Sequence, residues 1–496
     1  MSRTHILALV GAVVVFAAMV IPLHNGFTDD GFIHIQYARN IADYAEYAFN
    51  PGETSFGTSS PLWVMELAAF GRVLGTGDVL ITISRVLSWL AGVLAIFVFF
   101  ALARRITSFP VAVAATFAIS ANAWFVRWTA LSMETSTAVL SVTAVCLASL
   151  DAGRSRSNSA RLGAWIAIAS LVRPEVYLAV PVWIASALSR RDTDRKHVAT
   201  MLLVCGALLI PWLLFARLHI GSFLPNTAGA KSGGLMVHPG ELMARFSPIA
   251  RIIGATQAVA VLGIIASIAA FRRHAVVFSR RVRFLLLWTV ALPCAYVIFD
   301  IQVLSRYMLL IAPSLCVLGW AGWEQVFRAR RRATVAIALL AATAVASNAL
   351  FYFLVVLPPS RAFSFDLQHC MTKLARYIDA NAAPDAVVAA ADIGYLAFYS
   401  NRRVLDLGGL VEPETGRLRK QYDYENIVAN ARYFNLPGYP HVDYLVDREK
   451  VDARFDGVEL DGHKFQRVYG TVVRNLGIRK PGPWYYTLYR IEEVAR

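Results

Sequence analysis

Residues 6–40 read ILALVGAVVVFAAMVIPLHNGFTDDGFIHIQYARN. An apolar run of about 20 residues, the length that crosses a bilayer, is followed almost at once by two adjacent aspartates, Asp29 and Asp30. Such a pair can simply begin a helix, because Thr28, Asp29 and Asp30 are all good N-cap residues. However, adjacent like charges repel, and ionisable groups in hydrocarbon are costly, about 2.5–3.5 kcal/mol at the membrane centre. The pair therefore predicts a functional site at a membrane boundary.

The composition of the chain is that of a membrane protein. Of its 496 residues, 57% are hydrophobic and only 16% are charged, whereas a soluble domain carries about 25% charged residues. Apolar runs long enough for membrane helices recur as far as residue 356 and predict about eleven spans. We place these spans near residues 5–23, 83–103, 108–126, 131–150, 161–173, 175–189, 198–217, 252–271, 284–300, 304–323 and 333–356. A further run, 61–75, is too short to span comfortably and predicts an interfacial or re-entrant helix.

The positive charges indicate membrane topology rather than nucleic-acid binding. The net charge is +15, but the basic clusters lie in alternate loops, as the positive-inside rule expects of cytoplasmic loops. These clusters are at 104–105, 153–161, 189–197, 272–283 and 328–332. The N-terminus is therefore predicted in the cytoplasm and the C-terminal part outside, in a multi-pass membrane protein. The first run lacks a small-residue cleavage site after it, so an uncleaved span is predicted rather than a signal peptide.

The chain divides into a membrane domain at residues 1–356, which includes a large first outer loop at 24–82, and a soluble part at 360–496. The soluble part opens with the helical pattern FDLQHCMTKLARYIDANA and continues with the strand-like AVVAAADIG. Helix and short apolar strand alternate after that, which predicts an extracytoplasmic α/β domain. Of the five cysteines only Cys370 lies in this part, so no structural disulfide is predicted there.

A set of polar residues lacks a topological explanation, and all of them map to the outer side. They are Asp29, Asp30, Arg127, Glu134, Arg173, Glu175, Asn226, Lys231, Asp300 and Arg306. Arg173 and Glu175 can form a structural ion pair, and Arg306 can snorkel to the interface. Chemically, a carboxylate that reaches an acceptor hydroxyl acts as a general base, and clustered cations stabilise a phosphate leaving group. A general base and a phosphate-binding group of cations are together the smallest set of groups needed for sugar transfer from a lipid phosphate.

The sequence predicts no cofactor. It contains no Walker loop, no HExxH and no Cys/His metal spacing. Asp29 and Asp30 offer carboxylate oxygens to a divalent metal, so a metal stays an open alternative. The Asp-x-Asp at 192–194 resembles that of nucleotide-sugar transferases, but it lies in a short basic loop with no room for a nucleotide-binding domain.

Motifs in order over residues 28–415 resemble a known family, the GT-C glycosyltransferases that use lipid-linked sugars. The resemblance is strongest to the bacterial terminal arabinofuranosyltransferase-like group, and more distant to aminoarabinose and protein mannosyl transferases. The motifs are DDGFIHIQYARNIADYAEYAFNPGETSFGTSSPLW (29–63), LSMET (131–135), LVRPE (171–175), LPNTAGAKSG (224–233), SRYMLLIAPSL (305–315) and ADIGYLAFYSNRRVLDLGGLVEPE (391–414).

The resemblance implies a GT-C fold, an active site at the extracytoplasmic membrane face, a polyprenyl-phosphate sugar donor and inversion at the anomeric carbon. It also implies an aspartate base in the first loop. Counting back from the ARN of the motif places Asp30 on that base, with Asp29 beside it. Met133, Val176 and Ser305 depart from the family pattern, so the sugar is not fixed by the motifs.

The role expected of each residue follows from the side of the membrane on which it is predicted to lie and from the sign of its charge. Asp30 or Asp29 takes the acceptor proton. Lys231, Arg173 and Arg306 hold the donor phosphate, and Glu134, Asn226 and Glu175 orient the sugar.

The expected reaction moves an arabinofuranose-like sugar or a hexose to a hydroxyl of a cell-envelope glycan, lipid or protein; nucleic acid is not an expected partner. The alternatives are a lipid-linked sugar flippase or polar-solute transporter, and a non-catalytic scaffold. A transporter places its ionisable residues near the bilayer midplane, whereas these cluster at one interface.

Overall fold

The computed structural model describes residues 2–188, 194–223, 225–226, 239–328, 330–436, 441–476, 478 and 482–494. Contacts divide the chain into two compact units. We call them the helical unit (Met1–His24, Arg85–Leu213 and Ser232–Leu357) and the sheet unit (Asn25–Ser84, Leu214–Lys231 and Pro358–Arg496). The sequence-based division placed the first loop with the membrane spans, whereas the contacts group that loop with the C-terminal part.

Helices account for most of the described chain. Numbered in chain order, they are α1 (Arg3–Val20), α2 (Asp29–Tyr44), α3 (Pro61–Leu74), α4 (Val79–Ile106), α5 (Phe109–Ser120), α6 (Ala123–Ala130), α7 (Thr135–Ser149), α8 (Arg156–Val172), α9 (Ala179–Leu188), α10 (Arg195–Phe215), α11 (Pro239–Phe271), α12 (Arg283–Ile298), α13 (Ser305–Met308), α14 (Ala312–Phe327), α15 (Ala333–Phe351), α16 (Leu357–Asn381), α17 (Gly394–Ser400), α18 (Pro413–Gln421) and α19 (Tyr424–Ala429).

Every apolar run predicted to span the membrane coincides with a helix or a broken pair of helices. Within the described residues, five helical segments are long and apolar enough to cross a bilayer, and the bent pair α5–α6, with a 50° kink, makes a sixth. The five are Arg3–Leu23, Val79–Ile106, Arg195–Ile220, Gly240–His274 and Ala333–Asn381. The chain is a multi-pass membrane protein. The other predicted spans fall on shorter helices, such as α7 and α12, which at 1.5 Å per residue are shorter than the roughly 30 Å hydrocarbon core.

In the helical unit, α11 and α14 approach each other closely because small residues line their contact. Gly263 on α11 faces Gly319 and Gly322 on α14, and a methyl group on any of the three would collide with the opposite backbone. Small residues that let two backbones approach are typical of helix packing in membranes, where lipid supplies no hydrophobic drive between helices.

The sheet unit contains a six-stranded mixed sheet. Its strands are β3 (Val387–Ala390), β4 (Arg403–Asp406), β5 (Tyr444–Glu449), β6 (Glu459–Leu460), β7 (His463–Val473) and β8 (Trp484–Glu493), after a small hairpin of β1 (Ala48–Asn50) and β2 (Glu53–Thr54). The order is β4-β3-β5-β8-β7-β6. Strands β4, β3 and β5 run parallel, and β8, β7 and β6 are joined by antiparallel pairs. This arrangement confirms the α/β fold predicted for the C-terminal part.

The first-loop helix α2 begins where the sequence predicts. Thr28 is its N-cap, and the Thr28 hydroxyl accepts the Gly31 N–H at 3.1 Å. The helix ends at Ala45 in the left-handed conformation, with φ 59°. Asp29 and Asp30 therefore occupy the first helical turn, where negative charge complements the helix dipole.

Candidate active site

Three arginines come together in the helical unit. Arg127 lies on α6, Arg173 at the end of α8 and Arg306 on α13, and their exposed fractions are 9%, 4% and 4%. Arg306 interacts electrostatically with both of the others. A buried cation is tolerated only when neighbouring groups compensate for its lost hydration.

Local sequence explains how these arginines are placed. Asn122 caps α6 by accepting the N–H groups of Trp124 and Phe125, and this cap restarts the helix after the kink. Pro174 disfavours helical geometry at the residue before it, and Arg173 accordingly has extended backbone angles.

Two glutamates partly compensate for the cations. Glu134 is 1% exposed, and its Oε1 lies 3.4 Å from an Nη atom of Arg173. Glu175 Oε2 lies 4.0 Å from Arg173 Nε, and Glu175 also accepts the Tyr296 hydroxyl at 3.4 Å. The structure thus brings together Arg173, Glu134, Glu175 and Arg306, four of the residues expected at the site. We call these four with Arg127 the arginine cluster.

Aromatic rings supply the remaining contacts. The guanidinium carbons of Arg127 and Arg306 lie 4.5 and 5.1 Å from the Trp128 ring centre. Those of Arg173 and Arg306 lie 5.0 and 5.4 Å from the Tyr307 ring centre. Such cation–π contacts are worth about 0.5–2 kcal/mol each. The sequence analysis assigned no role to these rings, although the pairs Arg127-Trp128 and Arg306-Tyr307 are adjacent in sequence.

Two of the three departures from the family motifs touch this cluster. Ser305 Oγ accepts the Trp128 indole N–H at 2.8 Å. Met133 Sδ lies 3.5 Å from an Nη atom of Arg306. Met133 therefore contacts one cation of the cluster directly, and Ser305 contacts the ring that packs against two of them.

The arginine cluster carries more positive than negative charge. By its definition the cluster holds three guanidinium groups and two carboxylates. Arg173 Nε and one Arg173 Nη make no hydrogen bond within the described part of the chain. This cluster has both the charge and the donors to bind an anion such as a phosphate.

In the sheet unit, Asp29 is held by backbone donors. Its two carboxylate oxygens accept the N–H groups of Gly394 and Tyr395 at 3.0 and 3.1 Å. Burial raises the pKa of the Asp29 carboxyl to about 8; Asp392 and, less strongly, Asp30 add to the rise, while the two N–H groups oppose it. Asp30, the next residue of α2, is half-buried.

A second acidic group lies close to Asp29. Asp392, which follows β3, accepts hydrogen bonds from Arg448 at 2.5 Å and from the Tyr486 hydroxyl at 2.6 Å. Burial and Asp392 raise the pKa of Tyr486. Asp392 belongs to the ADIG of the last family motif, from which no role was predicted for it.

The remaining expected residues are not part of the arginine cluster. Asn226 belongs to the sheet unit, where its backbone N–H donates to the Phe56 carbonyl at 2.9 Å. Lys231 lies outside the described residues. Across the described ranges, no three His, Cys, Asp or Glu side chains group as metal ligands would.

Comparisons with known proteins bear on the fold. A family model described as a domain of unknown function, DUF8728, matches residues 363–489. No curated protein matches the sequence. Among solved structures, ArnT from Cupriavidus metallidurans bound to undecaprenyl phosphate is 13% identical with a TM-score of 0.61, and the alignment covers 98% of each chain. The chain has the GT-C fold.

Two further structures share this fold. The oligosaccharyltransferase AglB from Archaeoglobus fulgidus, in complex with an inhibitory peptide and a dolichol-phosphate, is 14% identical with a TM-score of 0.61; the match covers 90% of this chain and 69% of AglB. The arabinofuranosyltransferase AftD from Mycobacteria is 15% identical with a TM-score of 0.57 and covers 98% of this chain, which matches 42% of AftD. The fold predicted from the motifs is confirmed.

Proposed function

We propose that this protein is an inverting membrane glycosyltransferase that moves one sugar from a polyprenyl phosphate to a hydroxyl of a cell-envelope glycan, lipid or protein. The observation that carries the proposal is the arginine cluster, a buried site in which three guanidinium groups come together. Support also comes from the fold, because ArnT and AglB were solved with undecaprenyl phosphate and dolichol-phosphate.

In this proposal the arginine cluster binds the donor phosphate. As the bond between the anomeric carbon and the phosphate oxygen breaks, negative charge grows on the phosphate, and fixed cations stabilise that charge. Arg306 and Arg173 serve as phosphate ligands together with Lys231, and Arg127 joins them because Trp128 lies against both Arg127 and Arg306.

Glu134 and Glu175 hold the guanidinium of Arg173 in addition to the sugar-orienting role expected of them. A carboxylate that fixes a buried arginine keeps its donors aimed at one point, so less conformational freedom is lost when the donor binds. Asn226 stays an expected sugar-orienting residue.

Asp30 acts as the general base in our proposal. It takes the proton of the acceptor hydroxyl while the acceptor oxygen attacks the anomeric carbon opposite the departing phosphate, which inverts the configuration. Asp30 is preferred to Asp29 because the register of the ARN motif places Asp30 on the family's base, and because both oxygens of Asp29 bind the backbone of α17. The positive-inside pattern of the basic loops supports an extracytoplasmic location for this reaction.

The test uses the full-length protein in nanodiscs with polyprenyl-phosphate sugars and cell-envelope acceptors. Release of polyprenyl phosphate with formation of a glycosidic bond supports the enzyme. Arg306→Gln is expected to weaken donor binding, since it leaves the arginine cluster formally neutral. The matched control is Arg161→Gln, because Arg161 is an exposed arginine of α8. Sugar movement across the bilayer without bond cleavage would instead indicate the flippase.

A further inference from the structure

The first-loop helix α2 binds the short helix α17 of the sheet unit at both ends. At the N-terminus of α17, Asp29 accepts the N–H groups of Gly394 and Tyr395. These are among the donors that a helix leaves without an internal partner. A carboxylate at this end also complements the positive end of the helix dipole.

Arg39 makes the matching contacts at the other end of α17. Its Nη atoms donate to the carbonyls of Phe398 at 2.9 Å and Ala397 at 3.5 Å. Its guanidinium carbon lies 5.0 Å from the centre of the Phe398 ring. Asp29 and Arg39 are ten residues apart on α2, about 15 Å at 1.5 Å per residue. Since the earlier residue binds the N-terminal end of α17 and the later one binds its C-terminal end, the two helices run in the same direction.

The surface between these two ends is closely packed. Phe32 of α2 lies 4.0 Å from the Tyr395 ring and 5.4 Å from the Phe398 ring, measured between ring centres. A side chain on Gly394 would collide with the Asp29 carbonyl and with Phe32. A glycine is therefore needed at position 394 for α2 to come this close.

The hairpin that follows α2 is fastened to the sheet in the same unit. The Asn50 side chain accepts the Val404 N–H at 3.0 Å and donates to the Val404 carbonyl at 3.1 Å. An amide side chain thus pairs with the edge strand β4 as a neighbouring strand would. Glu53 and Arg403 form an ion pair beside it.

The carboxylate of Asp29 sits among groups that constrain its charge. The nearby Asp30 and Asp392 disfavour a negative charge on Asp29 and so raise its pKa. Arg448 and the Tyr486 hydroxyl hold Asp392. The Asp29 side chain is therefore fixed by two hydrogen bonds to α17 and also lies near two other acidic side chains.

We infer that Asp29 is a positioning residue. The domain at 363–489 holds the first turn of α2 in place through the contact between Asp29 and Gly394, and in this way it also positions Asp30. The inference assigns a role to this domain and rests on the proposed function, in which Asp30 is the base. Its consequence is that the two adjacent aspartates do different work: Asp29 fixes the helix and Asp30 takes the proton.

The test compares full-length variants in nanodiscs. Asp29→Asn keeps one acceptor oxygen and is expected to lower kcat by about 10-fold with the KM for the polyprenyl-phosphate sugar unchanged, because misplacement by about 1 Å costs rate rather than donor binding. Asp29→Leu keeps none and is expected to lower kcat further. Gly394→Ala, which leaves the carboxylate in place, is expected to reproduce the kcat loss of Asp29→Asn.

Hydrogen exchange measures the contact between Asp29 and the N-terminus of α17 independently of activity. In Asp29→Asn the amides of residues 394–400 are expected to exchange faster than in the wild type. The matched control is Asp423→Asn, since Asp423 caps α19 in the same unit by accepting the Asn426 N–H at 2.7 Å. That variant is expected to keep wild-type kcat and wild-type exchange at 394–400.

Two outcomes separate failure of this inference from failure of the proposed function. If Asp29→Asn is as inactive as Asp30→Asn while exchange at 394–400 is unchanged, Asp29 is the base and the inference is wrong. If Asp30→Asn keeps full activity while Asp29→Asn shows fast exchange at 394–400 and a lower kcat, the positioning role of Asp29 is supported and the assignment of Asp30 as the base is wrong.

Discussion

The arginine cluster of the helical unit and the carboxylates of the sheet unit bury charge in opposite ways. The arginines are packed against aromatic rings and two glutamates, so three like charges come together. Both oxygens of Asp29 accept backbone N–H groups, and Asp392 Oδ2 accepts hydrogen bonds from an arginine and a tyrosine. The first arrangement is suited to bind an additional anion, and the second to fix the backbone beside a reactive group.

The largest expected effect tests the reactive group beside that fixed backbone. Replacing Asp30 by Asn removes the carboxylate with little change in size, and we expect kcat to fall by about 10²–10⁴-fold, the usual contribution of a general base. Single-turnover rates with a saturating donor measure this loss. An unchanged rate would remove Asp30 from the chemistry.

The next effect tests the excess charge of the arginine cluster. Arg306→Gln leaves two arginines and two glutamates, and we expect the KM for the donor to rise by about 10- to 100-fold, since a hydrogen bond to a charged group is worth about 1.5–3 kcal/mol. Initial rates at varied donor concentration give the value. An unchanged KM would place the phosphate elsewhere.

Stability should depend on pH through Asp29. An unfolded chain gives up this proton near pH 4, whereas the folded protein, in which the pKa of Asp29 is about 8, keeps it up to that pH. The folded state therefore binds more protons between pH 4 and 8, and its stability should fall as the pH rises through that window.

Thermal unfolding at pH 5 and at pH 8 measures this dependence, with Asp29→Asn as the comparison. We expect the wild-type midpoint to drop more than that of the variant on going to pH 8. Equal drops in the two proteins would mean that Asp29 does not carry the dependence.

The smallest effect concerns the ring shared by two arginines. Trp128→Phe keeps an aromatic face but removes the indole N–H that Ser305 accepts, and a phenyl ring binds cations less well than an indole. We expect a roughly 3- to 10-fold rise in the donor KM, because the lost contacts are worth about 1 kcal/mol. The same kinetic series as for Arg306→Gln resolves it.

Local pattern allowed a large part of this architecture to be predicted. The Thr-Asp-Asp start of α2 and the alternation of helix and strand after residue 360 depend on neighbouring residues, and the structure confirms both. Topology also grouped Arg173, Glu134 and Arg306, because residues on one side of a membrane lie near one another.

Contacts between distant segments were beyond prediction. Nothing near Arg39 in sequence indicates that it binds carbonyls 358 and 359 residues later in the chain. Asp392 pairs with Arg448 because β3 and β5 are parallel neighbours in the sheet, and the order of strands in a sheet is a tertiary property. Helix lengths were also missed, because hydropathy does not reveal where an apolar run bends, as α5 and α6 do.

The place of β8 in the sheet has a consequence for biogenesis. This strand lies between β5 and β7, so the six-stranded sheet cannot be completed until the residues from 484 onward have been synthesised.

Asp29 contacts Gly394, which lies 365 residues later in the chain. A ribosome that adds about 5–20 residues per second needs roughly 20 to 70 s to synthesise that stretch. During this time α2 has left the ribosome without its partner helix, so the nascent first loop lacks the contacts that hold it in the folded protein.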